Sequence, residues 1–390
     1  MPTIVWAVAA FASGLLAGFG HTPVPALLAA ALLAFWAAQD VAPTASLLYL
    51  FAGWALAVAS PAPRTQFGVQ PHADSTQFAE RSRLRAAHNI DVAFGDDAPL
   101  AKALLVADQS EIPREVKNRY ADAGIVHMLS ISGMHVTITA GSVLLMLHIM
   151  RLPPRVASAS AVAVVLAYVC MLGFPPPAVR SAVMISVVVG SRALQRHTSR
   201  WAALAVGALI PLVRPETVTD LGYQLSVGGM AALIAGGALN RRTVVAHISG
   251  WRGKVTRALL ISTVATLVTA PLVASAFGRL SLIAPLTNLV ADPVLALAQP
   301  MLFLAMLLAP WPRAARLVAA ASHPLLAAFD AVARIGAGIP HAAIAVALTA
   351  TAALLLGIAA VAVIVACVSR FPARAALVAS VAIVAAVWSG

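Results

Sequence analysis

Apolar residues in this chain gather into long runs separated by short polar turns, and about 20 consecutive apolar residues are what a helix needs to cross a bilayer. Residues 3–20, 24–38 and 45–60 form three such runs, divided by a His-Thr-Pro turn and by Asp40 to Thr44. The first lacks the positively charged start of a signal peptide and is followed by further runs, so it reads as a retained helix. Residues 61–124 are polar, with Pro61, Pro63 and Pro71 near their start. Within them Pro99 to Val106 is apolar, and a helix is predicted from a Ser110 cap, with Pro113 in its first turn, to Gly124.

Apolar runs resume at 125–150, 157–174, 179–194, 201–213, 218–239, 257–277, 281–310, 317–338, 342–368 and 374–389. Pro285, Pro293 and Pro300 interrupt the 281–310 run. They predict a broken helix lining a cavity, since backbone groups freed inside a bilayer must find a neighbouring helix or water. The 317–338 run carries His323, Asp330 and Arg334 and reads either as a span or as an interfacial amphipathic helix. The pattern predicts an all-α polytopic membrane protein with about ten to thirteen membrane segments, broken or re-entrant helices among them. It divides into N-terminal transmembrane helices (1–60), a small extracytoplasmic polar segment ending in a short helix (61–124) and a larger membrane domain (125–390).

Composition agrees with this pattern, with 61% of the 390 residues hydrophobic and 10% charged. Charge adds an orientation. Residues 61–124 hold nine acidic and eight basic side chains, whereas the rest of the chain is strongly basic, its cations mostly in short loops. Lys and Arg in short loops mark the cytoplasmic side. Placing Arg192/Arg196/Arg200, Arg241/Arg242/Arg252/Lys254/Arg257, Arg313/Arg316 and Arg370/Arg374 there puts the N-terminus inside and residues 61–124 outside. The same cations would also attract an anionic polymer. Cys170 and Cys367 both lie in apolar runs, which leaves no material for a disulfide framework or a CxxC site. No GxxxxGK[ST] motif occurs, so nucleotide hydrolysis by this chain is not expected, nor is a cofactor or a bound metal.

The densest polar cluster in an apolar setting is His127, Ser130, Ser132, Gly133, His135, Thr137 and Thr139. On a continuous helix His127, Ser130 and Met134 share one face, and His135 lies about 80° round from His127. Such groups either join helices by hydrogen bonds or face a water-filled passage, and Gly133 would admit a close backbone. A metal site would need a third ligand, and two histidines eight residues apart on one helix stand too far apart to chelate. Ser132 with a histidine base would suggest an intramembrane hydrolase, but the strained GxSxG elbow is missing. Arg180, after Pro175 to Pro177, and Asp292, before Pro293, are further ionisable groups in apolar runs, placed at an interface or used in function. Gln224 and Asn288 suit interhelical hydrogen bonds or a passage lining equally.

The stretch from Pro99 through Asp108, Ser110, Gly124, His127, Ser132, Gly133 and His135 closely resembles the signature of the ComEC competence channel family. Pro177 to Met184, Tyr223-Gln224-Leu-Ser226 and Phe277 to Pro293 follow in that family's order, so the resemblance covers about residues 99–345. It implies that 125–390 is a channel domain in the bacterial cytoplasmic membrane, passing single-stranded DNA inward during natural transformation without being an enzyme. It further implies an external DNA receptor, a cytoplasmic helicase-type motor and a separate nuclease as partners. His127, Ser130, Ser132, Gly133, His135, Arg180 and Gln224 are then passage or gate residues, with Asn288 and Pro293 shaping the broken helix and Asp108, Ser110 and Gly124 an extracytoplasmic motif. Three features depart from the family pattern: residues 61–98 are too short for its OB-fold domain, no HxHxDH motif of its metallo-β-lactamase-like domain occurs, and Ala107 stands where a glycine is usual. These departures describe a short member, and the alternatives are a permease for another anionic solute on the same fold or an inactive truncated copy.

Overall fold

The structure, a computed structural model, describes residues 3–19, 50, 52, 53, 56, 77–131, 133–369 and 372–389. The expected spans at 24–38 and 45–60, and Ser132, lie outside the described residues or almost wholly so. The helices in chain order begin with α1 (Thr3–Gly18), α2 (Gln77–Phe94), α3 (Ala98–Val106), α4 (Arg114–Asp122), α5 (Gly133–Ile149), α6 (Pro154–Met171) and α7 (Pro176–Ala193). They continue with α8 (Arg200–Leu209), α9 (Leu221–Arg242), α10 (Gly250–Phe277), α11 (Ala284–Leu307), α12 (Pro312–Ala337), α13 (Ala350–Val368) and α14 (Pro372–Ser389). Two three-residue strands, Arg279–Ser281 (β1) and Ala343–Ala345 (β2), pair in a small sheet, a minor departure from an all-α expectation.

Among the described residues, six helices are long and apolar enough to cross a membrane: α6, α9, α10, α11, α12 and most of α13. Shorter apolar helices lie within α1, α5, the α8 region and α14. The chain is therefore an α-helical multi-pass membrane protein. The expected break at Pro293 is absent, because α11 runs without interruption from Ala284 to Leu307. Pro285 sits in its first turn, where a backbone N–H has no helical partner to lose. Pro293 and Pro300 are carried inside the helix, as bilayer helices tolerate when neighbours satisfy the freed groups.

Packing divides the chain into two units that interleave along the sequence. The first holds residues 1–65, 199–280 and 345–390. Within it α9 packs on α10 and α13, α13 on α14, and α1 on α8. Helix starts here are capped by side chains: Ser199, Asp220 and Thr349 each accept a first-turn backbone N–H.

The second unit holds residues 66–198 and 281–344, namely α2 to α7 with α11 and α12. Its core is one continuous cluster running from Ala86 to Ala333. Many contacts are alanines (Ala140, Ala161, Ala178, Ala291, Ala319), the small residues that let helices in a membrane approach closely. On α12 the buried positions Ala315, Ala319, Ser322, Leu326, Phe329, Ala333 and Gly336 step by four and three, one seam along the helix. On α11 the apolar Leu286, Val290, Leu297 and Leu304 stay exposed on the opposite side from buried Ala291, Leu295 and Leu302, as a lipid-facing helix requires.

Helix α3 is nearly all buried despite lying in the segment read as polar, and it packs against α2 and α11. It ends at Ala107, whose φ of 58° is left-handed. Here the N–H of Asp108 reaches back to the Lys102 carbonyl at 3.3 Å, a closure that favours glycine. An alanine in this conformation costs about 1 kcal/mol relative to glycine. Ala107→Gly is therefore expected to stabilise the protein by about that amount and Ala107→Val to destabilise it, read from the thermal unfolding midpoints of the purified variants.

Candidate functional site

The residues singled out in the sequence between Asp108 and His135 occupy one stretch of the second unit, between the end of α3 and the first turns of α5. The left-handed end of α3 leaves carbonyls with no helical partner. The buried Tyr168 hydroxyl donates to Leu105 O at 2.7 Å, and the fully buried Gln299 amide to Leu104 O at 3.3 Å. Tyr168 is itself held edge-on against Phe303, ring centroids 5.5 Å apart.

Lys102, in α3, has a side chain only 4% exposed, with Asp91 Oδ1 at 2.8 Å and Glu111 Oε1 at 2.5 Å. Burial alone would disfavour its charge, but the two carboxylates outweigh it and hold the ammonium above its usual range. Asp108 accepts from the Ser110 N–H (3.0 Å) and hydroxyl (2.7 Å), closing a tight turn. Burial raises the Asp108 pKa, and the Ser110 bonds with the charges of Arg83 and Lys102 more than reverse this. Ser110 thus serves Asp108 and does not cap α4, which starts after Pro113. Gln109 then donates to Leu129 O at 3.0 Å, tying the turn to the short 3-10 helix Val126–Leu129.

Helix α4 docks on α12 through Asp330, which receives Arg119 at 3.2 Å and the Tyr120 hydroxyl at 3.3 Å and pairs with Arg334 at 3.0 Å. Burial first, and then the Asp330 carboxylate, raise the Tyr120 phenol above its usual range. After α4 the chain turns at Gly124, whose φ is +79°. A Cβ there would collide with the Ala284 side chain and lie 2.9 Å from Ser281 Oγ, so both backbone conformation and space demand glycine. Next to it the Thr287 hydroxyl donates to Ala123 O at 2.6 Å.

His127 is exposed within the 3-10 helix, and the half-buried Ser130 hydroxyl donates to its carbonyl at 2.9 Å. Ser130 itself is extended, so the expected single helix from 127 to 139 is broken before α5 begins at Gly133. The common face of His127, Ser130 and Met134 does not exist, since an extended residue resets the helical phase. His135 and Thr139 are fully buried on α5.

Arg180 is also buried, 2% exposed, in the first turns of α7. Its Nη1 donates to Met184 Sδ at 2.9 Å and its Nη2 to Ser181 Oγ at 3.1 Å. A Cβ on Gly133 would collide with both the guanidinium and the Ser181 hydroxyl. The start of α5 and the first turns of α7 thus approach closely beside a buried cation. Hydroxyls continue along both helices, each turned onto its own backbone: Thr137 and Ser142 on α5, Ser181, Ser186 and Ser191 on α7.

The remaining expected residues are placed elsewhere. Gln224 belongs to the first unit, where it donates to Val218 O at 2.8 Å and braces the turn before α9. Asn288 is half-buried and Pro293 exposed on α11. Lys102, Thr287, Gln299 and Asp330 were not singled out for the site by sequence. An amide and an ammonium inside apolar runs were the available signals for Gln299 and Lys102. No group of three His, Cys, Asp or Glu residues able to hold a metal occurs among the described residues.

The fold and this stretch define a multi-pass α-helical membrane protein with a buried arginine in its second unit. Residues 104–371 match the family described as Competence protein, well over half of the chain, and the chain belongs to that family. It is 28% identical over 200 residues to ComE operon protein 3 of Bacillus subtilis (strain 168), covering 51% of this chain and 25% of that protein. With Competence protein ComA of Neisseria gonorrhoeae it is 29% identical over 217 residues, covering 52% of this chain and 29% of the relative. The matched part thus spans well under a third of either relative. No solved structure matches significantly.

Two outcomes follow from the turn geometry. Gly124→Ala should cost about 2 kcal/mol or more, combining a left-handed alanine with overpacking, and should lower the unfolding midpoint or the membrane yield. The lowered Asp108 pKa means that its charge contributes stability above about pH 4, which is lost as pH falls through the folded value. Asp108→Asn should therefore be less stable than wild type at neutral pH, with the gap closing on acidification, as read from midpoints between about pH 3 and pH 7.

Proposed function

We propose that this protein is a channel in the bacterial cytoplasmic membrane that passes single-stranded DNA inward during natural transformation, with its N-terminus in the cytoplasm. One observation carries the reading: a chain of the Competence family encloses a guanidinium, Arg180, in a helical bundle at the first residue of α5. A strand of phosphates cannot enter hydrocarbon unless cations and water replace its counterions and hydration. Arg180 supplies such a cation, and the hydroxyls along α5 and α7 supply groups that water can use once the two helices part.

In this reading the contact of Gly133 with Arg180 and Ser181 is the closed gate, and His135 backs it from within α5. His127 and Ser130 stand at the approach, and the chain performs no catalytic step of its own. Passage is sequence-independent, driven by a separate cytoplasmic motor, with DNA delivered by an external receptor and the second strand removed by another polypeptide.

The test is transformation frequency in a competent strain deleted for this gene and complemented with wild type or Arg180→Gln, protein level in the membrane being matched by blot. Deletion should abolish transformation and wild type restore it. Arg180→Gln should lower it tenfold or more, the effect of about 1.4 kcal/mol on a barrier. Wild-type frequency from the well-expressed variant would remove Arg180 from the path, and an unaffected deletion strain would overturn the DNA reading.

A further inference from the structure

The turn between α9 and α10, together with the helix ends that flank it, carries Arg241, Arg242, Arg252, Lys254 and Arg257, and no acidic residue occurs from 221 to 291. Two of these cations have structural duties. Arg242 donates to Cys367 O, Val368 O and Ser369 O, closing the C-terminal end of α13 at 3.3, 2.9 and 2.8 Å. Arg257 donates to Ile248 O at 3.1 Å and holds the turn down on the first turns of α10.

Arg241, Arg252 and Lys254 are exposed and have no acidic partner among the described residues. Between them stand apolar side chains open to their surroundings: Val244 at 81% exposed, Trp251 at 71% and Ile248 at 38%. Arg252 lies over the Trp251 ring, 5.7 Å from its centroid. Both flanking helices are candidate spans, so the turn lies where a span meets the membrane surface.

We propose that this turn is a binding surface for anionic phospholipid: Arg241, Arg252 and Lys254 pair with head-group phosphates while Trp251, Val244 and Ile248 enter the boundary of head groups and acyl chains. Charge complementarity selects an anion, and the interleaved apolar side chains select one that carries hydrocarbon beside its phosphate. Tryptophan beside cations at a helix end is the composition that seats a protein at this depth. A nucleic acid would use the cations and stack on the indole, but would leave Val244 and Ile248 against water. The inference is independent of what the protein transports.

The test uses the purified full chain in neutral detergent micelles doped with dioleoylphosphatidylglycerol or with the same mole fraction of dioleoylphosphatidylcholine, reading the thermal unfolding midpoint. Phosphatidylglycerol should raise the wild-type midpoint by about 3 °C more than phosphatidylcholine does, because a ligand that binds only the folded state stabilises it. The triple variant Arg241→Gln, Arg252→Gln, Lys254→Gln should lose most of that difference, and Trp251→Ala should reduce the gain from both lipids. Arg313→Gln with Arg316→Gln, which removes charge from another loop, should keep it.

A full difference in the triple variant, or an equal loss in the Arg313/Arg316 control, would overturn the assignment. Should the triple variant fail to fold, Arg252→Gln alone decides by the same criterion. Stabilisation by a single-stranded oligonucleotide that exceeds that by phosphatidylglycerol and vanishes in the triple variant would give the surface to nucleic acid and overturn it too.

Discussion

Two carbonyl oxygens, those of Leu104 and Leu105, govern the second unit. They lie in the last turn of α3, where the end of a helix leaves carbonyls without helical partners, in a core of buried residues. An orphaned carbonyl in such a place costs several kcal/mol. The structure meets the demand with the Tyr168 hydroxyl from α6 and the Gln299 amide from α11. Those two bonds set where α3 sits among the spans. Along the chain from there follow the Asp108–Ser110 turn, the Gln109 tie to Leu129 and the 3-10 helix before α5.

Against this frame the buried arginine is paid for by geometry. A guanidinium inside an apolar bundle needs acceptors and room, and Arg180 has Met184, Ser181 and the space left by the missing side chain of Gly133. Both of those acceptors lie on α7 itself, and α5 contributes the close approach at Gly133. The adjoining parts are fixed by different means, ion pairs around Lys102 and Asp330 and close backbone approach at Gly124.

Much of the helical layout was legible in the runs of apolar residues, because in a membrane protein length and hydropathy alone decide what spans. The runs at 157–174, 218–239, 257–277 and 342–368 all contain the larger part of a helix. Helix α2 was missed: its face is polar, and only Ala79, Ala86, Ile90 and Phe94 mark the buried side. Proline misled at 293, since a break is a property of the surroundings and not of the residue. The motif residues were visible individually, and the glycine expected at position 107 now has a physical reason in the positive φ found there. Which of them meet was not visible. Gly133 and Arg180 lie on helices separated by α6, and no periodicity within either helix encodes that contact. Gln224 matched the motif order equally well, yet belongs to the other unit.

The bond from Gln299 to Leu104 joins residues 195 positions apart, and Asp330 meets Arg119 across 211. At about 5–20 residues per second a ribosome needs roughly 10–40 s to travel from the first partner of the Leu104 bond to the second. During that interval α3 and α4 exist without the groups that complete them, while helices of the other unit, α8 to α10, are synthesised in between. Biogenesis must therefore shelter the stretch from Ala98 to Asp122, in the insertion machinery or at the lipid surface, until α11 and α12 arrive. The interleaving of the two units makes late assembly an obligation of the chain order itself.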